Sequence, residues 1–218
     1  MNMIFTLVSE ATLETFAMVG FSTVFSLILG LPLGILLCVT DGETGIMKKP
    51  VLNQVLTRIV NVLRSFPFMI LMILLFPLSR KIVGTSIGTT ATIVPLSIAA
   101  APFVARIIET ALKEVDPGVV QAARAMGSTN MQIIWKVLLP EAMPSLVSGI
   151  TLTIINLIGY SAMAGAIGGG GLGDLAIRYG YQRFRTDIMA VSVIVILVLV
   201  EVIQVIGTKI SSKLLAKR

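Results

Sequence analysis

The chain has 218 residues, of which 56% are apolar and only 13% charged, against about 25% charged in an average soluble domain; so few charges cannot cover a water-soluble body, which excludes an ordinary soluble enzyme, a disordered tail and a nucleic-acid module. The net charge of +6 is spread along the chain, as expected of the cytoplasmic-side bias of a membrane protein. One cysteine and no histidine exclude an internal disulfide, a cysteine metal site and His-dependent base, triad or zinc chemistry.

A helix needs about 20 apolar residues to cross a bilayer core, and the sequence predicts five such spans. Residues 1–9 carry no basic residue and the first apolar run is too long for a signal-peptide core, so span 1, at 15–40, is expected to be retained. Gly30 and Gly34 in it are spaced for close helix packing. Span 2, at about 56–78, starts with Arg58 and Arg64 and is expected to kink at Pro67. Arg64 reads either as a packed or snorkelling cation, or as a salt-bridge or gating contact. Span 3 covers 82–105, and span 4, opened by Pro144, covers 144–166. Span 5 covers 188–208, interrupted only by Glu201. Glu201 and Gln204 face one way, and Glu201 is expected to hydrogen-bond inside the bundle or across a dimer. Most of the 11 methionines are expected to fill irregular core volume. The fold expected is an all-α, polytopic membrane protein, with 1–218 as one transmembrane domain.

Basic residues set orientation. None precedes span 1. Lys48, Lys49, Arg58 and Arg64 lie between spans 1 and 2, and Arg106, Lys113, Arg124 and Lys136 between spans 3 and 4. Lys209, Lys213, Lys217 and Arg218 follow span 5. Arg80 and Lys81, then Arg178, Arg183 and Arg185, occupy the opposite side. The larger set marks the cytoplasm, which places the N-terminus outside and the C-terminus inside.

The stretch 116–140 between spans 3 and 4 reads as an elbow on the cytoplasmic side. Asp116 caps a helix that Pro117 opens, small and apolar along Val119, Ala122, Ala123 and Met126. Gly127 stops it. Ser128 or Thr129 caps a second helix, with Gln132 as capping-box partner of Thr129; it is expected to end before Pro140. The pair reads either as an amphipathic element resting on headgroups, or as a docking helix whose Ala122 and Ala123 let a partner approach closely, with Arg124 and Lys136 at the rim.

The spacing Gln121-Ala122-Ala123-x3-Gly127-x9-Val137-Leu138-Leu139-Pro140 resembles the EAA loop of ABC importer permeases, E-A-A-x3-G-x9-I-x-L-P. Gln121 stands where the family has Glu, and Val137 where it has Ile. Asn61–Phe68, Val83–Gly88, Ala100–Arg106, Gly159–Ala166, Gly168–Asp174 and Tyr179–Tyr181 are similar to the methionine-import branch of that family. The resemblance implies a type I importer permease fold in a bacterial inner membrane. It implies a homodimer working with two cytoplasmic ATPase subunits, which bind the ATP and Mg, and an extracytoplasmic methionine-binding lipoprotein. The loop would be the coupling helix, with Gln121, Ala122, Ala123, Arg124, Gly127, Leu139 and Pro140 as its contact residues. The cargo implied is L-methionine and its D-isomer; another amino acid or a small peptide remains an alternative, as does a gradient-driven carrier.

Gly168-x-Gly170-x-x-Gly173 matches a dinucleotide fingerprint only formally, because a span and not a strand precedes it; it reads as a loop whose glycines permit close backbone approach. No G-x4-G-K-[ST] occurs, so energy must come from a partner or a gradient. For the pathway, Asn156, Tyr160, Ser161 and Met163 lie on or near successive turns of span 4. Tyr160 and Ser161 are placed to hydrogen-bond a passing zwitterion and Met163 to plug a constriction; packing at a dimer seam is the competing reading. No residue is assigned to catalysis, a cofactor or a metal.

Overall fold

A computed structural model describes residues 2–216, with side chains from Ile4 onward. Lys217 and Arg218, counted above among the C-terminal basic residues, lie outside the described residues, as does Met1. Every regular element among the described residues is helical. In chain order they are α1 (Asn2–Val39), α2 (Pro50–Ser65), α3 (Phe68–Val83), α4 (Thr89–Lys113), α5 (Pro117–Ala125), α6 (Asn130–Ile133), a π turn (Ile134–Leu138), α7 (Leu139–Gly165), α8 (Gly171–Leu175), a second π turn (Ala176–Tyr181) and α9 (Thr186–Leu215).

Among the described residues, four stretches are long and apolar enough to cross a membrane: Ile4–Val39, Thr89–Lys113, Asn130–Gly165 and Thr186–Leu215. The segment expected as span 2 consists of two helices, α2 and α3, bent by 103°; counted as one broken span, the pair makes five. The break falls at Pro67, whose ring cannot continue a helix and holds the preceding residue extended. The charge-free stretch 82–105 is likewise not one helix. α3 ends at left-handed Gly84, whose N–H donates to the Arg80 carbonyl (3.0 Å), and α4 begins only at Thr89. Lack of charge marks a segment as apolar; it does not make the helix continuous.

The second elbow helix does not stop before Pro140. It runs on through the π turn into α7. Proline lacks an N–H and crowds the carbonyl four residues back. Widening the preceding turn, with the Leu139 N–H reaching the Ile134 carbonyl, lets the chain take up that defect without ending.

The chain forms two compact units. The first comprises Met1–Ser26, Phe66–Ala100 and Thr153–Val205; the second comprises Leu27–Ser65, Ala101–Leu152 and Ile206–Arg218. In the first, Met18, Leu96 and Leu157 are fully buried together, with Phe68 and Tyr160 against them. Small hydroxyl residues on α1 pack there without unpaired groups: Thr23 Oγ1 donates to the Val19 carbonyl (2.7 Å) and Ser22 Oγ to the Ile93 carbonyl (3.4 Å). Glu14 and Thr15 of α1 hold the glycine loop. Glu14 Oε2 accepts from the Gly171 N–H (2.7 Å) and Thr15 Oγ1 from the Leu172 N–H (2.9 Å). A side chain at Gly171 would meet both Thr15 and Met18, and its φ is +76°.

In the second unit, α1 lies directly on α4. A Cβ at Gly30 would come within 2.8 Å of the Ala101 carbonyl oxygen, and one at Gly34 within 2.6 Å of that of Ala105, so the expected close packing is there. The core gathers Ile108, Leu112, Ile133, Ile134, Leu138 and Leu146. Val60 of α2 is buried against Leu37 and Ala105, and Asn53 Nδ2 donates to the Leu37 carbonyl (2.7 Å).

Candidate functional site

The elbow is built by local hydrogen bonds. Asp116 Oδ1 accepts from the Gly118 N–H (2.7 Å), with Pro117 at the first helical position. α5 closes with two bonds: the Gly127 N–H donates to the Arg124 carbonyl (2.9 Å) and the Ser128 N–H to the Ala123 carbonyl (3.1 Å). That closure requires Gly127 to be left-handed, and its φ is +80°. Thr129 and Gln132 then exchange the two bonds of a capping box, 2.8 and 3.3 Å.

α5 is seated on the second unit by one side. Ala123 is buried, with Val120 half-buried beside it, against Val115, Ile133 and Leu138. The Ala122–Ala123 pair is therefore split: Ala123 is core and Ala122 is exposed. Gln121, Val119 and Met126 are exposed too, Met126 at 79%. Arg124 is not free at the rim, since its Nη2 donates to the Ile46 carbonyl (2.9 Å) of the 40–49 turn. Leu139 is half-buried against the core and Pro140 is exposed. Two exposed residues that sequence reasoning did not single out flank the elbow, Met131 and Trp135, whose indole N–H meets Met131 Sδ at 3.1 Å. The lone tryptophan was the available signal, because aromatic anchors dominate protein contacts.

A polar ladder braces the base of α5. Glu109, buried on α4, accepts from Arg106 Nη1 (2.6 Å) and Lys113 Nζ (2.9 Å). Lys113 also donates to Asp41 Oδ2 (2.8 Å), and Arg106 Nη2 to Asn61 Oδ1 (2.8 Å). Asp41 further accepts from the Glu43 and Thr44 N–H groups. The Lys113 bond, then the backbone donors, hold the Asp41 carboxyl well below the usual carboxylate range.

The span-4 candidates lie in the first unit. Asn156, Gly159 and Met163 are exposed along one stripe of α7, as their spacing dictates. Tyr160 is turned aside and stacks on Phe68, ring centroids 4.4 Å apart and 7° from parallel. Ser161 is buried, and its Oγ donates to the Ile158 carbonyl (2.8 Å). Asn156 and Met163 thus share the open stripe, whereas Ser161 is committed to its own helix. Glu201 is exposed on α9. Among the described residues no three His, Cys, Asp or Glu side chains converge as metal ligands. The elbow offers a rigid apolar knob and the stripe an uncovered helix face; both are tools of contact and motion rather than of covalent chemistry.

A probable D-methionine transport system permease protein of Vibrio cholerae is 52% identical over 201 residues, covering 92% of this chain and 89% of that protein. A methionine import system permease protein of Bacillus subtilis is 51% identical over 73% of this chain and 72% of its own length. Among solved structures, an inward-facing conformation of the MetNI methionine ABC transporter aligns with TM-score 0.95 and 45% identity, covering 98% of this chain and 99% of that one. The family model for the binding-protein-dependent transport system inner membrane component matches residues 30–215, and to that family of transport permeases the chain belongs.

Proposed function

We propose that this chain is the membrane-spanning subunit of an ATP-driven importer for methionine, including the D-isomer. The observation that carries the reading is the similarity, over nearly the whole chain, to permeases named for D-methionine transport and to the MetNI permease fold. The subunit works as a homodimer with two cytoplasmic ATPase subunits, which bind ATP and Mg, and takes cargo from an extracytoplasmic methionine-binding lipoprotein. It is a multi-pass protein of the bacterial inner membrane with its N-terminus outside; the distribution of Lys and Arg supports that orientation.

α5 is the coupling helix. Gln121 and Ala122, with Val119 and Met126, meet the ATPase; Ala123 and Arg124 fix α5 to its own subunit; Gly127, Leu139 and Pro140 hold the turn and the helix that follows. Closure of the ATPase pair moves α5 and shifts the spans from inward-open to outward-open, a population change driven by differential binding of the partners. Asn156 and Met163 line the path, Met163 as an apolar plug, while Tyr160 and Ser161 set the face they stand on.

The test is reconstitution of permease, ATPase and lipoprotein in vesicles, followed by counting of labelled solutes. ATP-dependent accumulation of L- and D-methionine, abolished by omitting the ATPase, is expected. Accumulation without the ATPase, or preference for another amino acid or a peptide, overturns the reading.

A further inference from the structure

The loop that follows α7 has a backbone few sequences could hold. Gly168, Gly170 and Gly171 have φ of +83°, +80° and +76°, conformations that glycine adopts at little steric cost, and glycine also loses the most freedom on being ordered. Neighbours must therefore fix the loop, and they do so at three points within the first unit. α7 holds its start: the Ala166 N–H donates to the Met163 carbonyl (3.1 Å) and the Gly169 N–H to the Ala164 carbonyl (2.9 Å). The turn ahead of α4 holds its middle, where the Gly88 N–H donates to the Gly168 carbonyl (3.0 Å). α1 holds its end, through Glu14 and Thr15. Thr15 is buried, and its Oγ1 also donates to the Ala11 carbonyl (2.9 Å) of its own helix, so it is fixed in place. Glu14 is exposed, and its Oε2 takes the Gly171 N–H at 2.7 Å. A hydrogen bond to a carboxylate is roughly twice as strong as a neutral one, yet an exposed carboxylate can let go without being left buried and unpaired. The same oxygen stands 2.9 Å from the place a Cβ at Gly170 would take, so Glu14 bears on two successive residues of the loop.

We infer that Glu14 is a positioning residue of the gate: by gripping Gly171 it keeps the glycine loop folded against the last turn of α7, and so keeps the turn that carries Met163 in its closing position. The route from the carboxylate to the gate is short and continuous. Glu14 fixes Gly171, the loop backbone runs from there to Ala166, and Ala166 is bonded to Met163 itself. Glycines on the way make the loop compliant, so its posture follows whichever anchor is made or released. With Thr15 fixed, Glu14 is the anchor on α1 that can be released, and its release frees the loop and the Met163 turn to move together. The inference rests on the reading of this stretch of α7 as part of the path.

The test uses the permease–ATPase complex in lipid vesicles and two readouts: amide hydrogen exchange of the segment 168–175, followed by mass spectrometry, and ATP-independent leak of labelled methionine. Glu14→Ala should speed exchange of that segment roughly tenfold, the scale of one lost charge-assisted hydrogen bond, and raise leak severalfold. Glu14→Gln keeps an oxygen that accepts the Gly171 N–H but not the charge, so it should fall between the parent and Glu14→Ala in both readouts. Should Glu14→Ala fail to assemble, Glu14→Gln carries the same test at smaller amplitude. Glu10→Ala removes a carboxylate one turn earlier on α1 and should change neither readout. Exchange unchanged in Glu14→Ala, or faster exchange with no added leak, overturns the inference. Equal leak from Glu10→Ala also overturns it, by making the effect one of surface charge. Leak from Glu14→Ala with none from Met163→Ala supports the grip on the loop and sinks the plug reading of Met163; leak from Met163→Ala with none from Glu14→Ala does the reverse.

Discussion

The elbow at 116–133 and the 156–163 stretch of α7 both carry small and apolar candidates at helical spacing, yet they are held in place by different means. The elbow is set by bonds between residues at most five apart: the Asp116 cap, the Gly127 closure, the Thr129–Gln132 box. The α7 stretch has no such punctuation, and which of its residues face outward depends on what covers the helix, with Phe68 stacked on Tyr160 from 92 positions away. Adjacent residues consequently take opposite roles in both places. Ala122 is open and Ala123 is core; Tyr160 and Ser161 are turned in, while Gly159 and Met163 remain open. Motif position alone does not separate contact from support; burial does.

The sharpest way to break this contrast is to place the same charge on each of two neighbours. Ala123→Glu puts an unpaired carboxylate in the core and should cost roughly 3 kcal/mol or more, seen as a large fall in thermal midpoint in detergent. Ala122→Glu should stay within about 0.5 kcal/mol of the parent in the same assay yet cut ATP-driven uptake at least severalfold, since it alters only the presented face. Equal thermal losses in the two variants would show that α5 is seated differently.

A smaller effect isolates the turn. A Cβ at Gly127 meets nothing within 4 Å, so substitution there tests backbone conformation alone. Gly127→Val should cost about 1–2 kcal/mol and weaken ATPase capture, while Gly127→Asn, which tolerates the left-handed region, should cost a few tenths. Matching losses in a pull-down would place the cause in side-chain contact instead.

The smallest effects belong to α7. Ser161→Ala should change thermal stability by no more than about 0.5 kcal/mol and leave uptake intact, because that hydroxyl serves its own helix. Met163→Ala should be equally mild in stability but raise ATP-independent methionine leak from vesicles severalfold. Leak and coupling both unchanged would remove Met163 from the gate.

Much of the elbow was legible beforehand, since caps and a closing glycine are written in contiguous residues and their geometry depends on little else. Apolar length gave the spans in outline. Hydropathy could not show that 56–78 is bent by 103° at Pro67 or that 82–105 is interrupted after Gly84; those breaks come from backbone stereochemistry inside uniformly apolar text. Least legible were bonds between distant residues. Glu14 holding Gly171 across 157 positions leaves no trace in local pattern, and neither does the meeting of Arg64 with Phe103. Pro140 misled for another reason: it is a helix breaker in isolation, but a five-residue π turn ahead of it absorbs the defect.

That π turn has a consequence for engineering and for descent. It carries a residue more than an α register would need, so removing one amino acid between Ile134 and Leu138 would leave an unbroken helix. The helix upstream of the cut would keep its facing, because a π turn takes up its extra residue within itself, but Pro140 would again crowd the carbonyl four residues back. A transporter so shortened would keep its caps, its greasy segments and its fold class, and would bend at the proline in place of bulging before it.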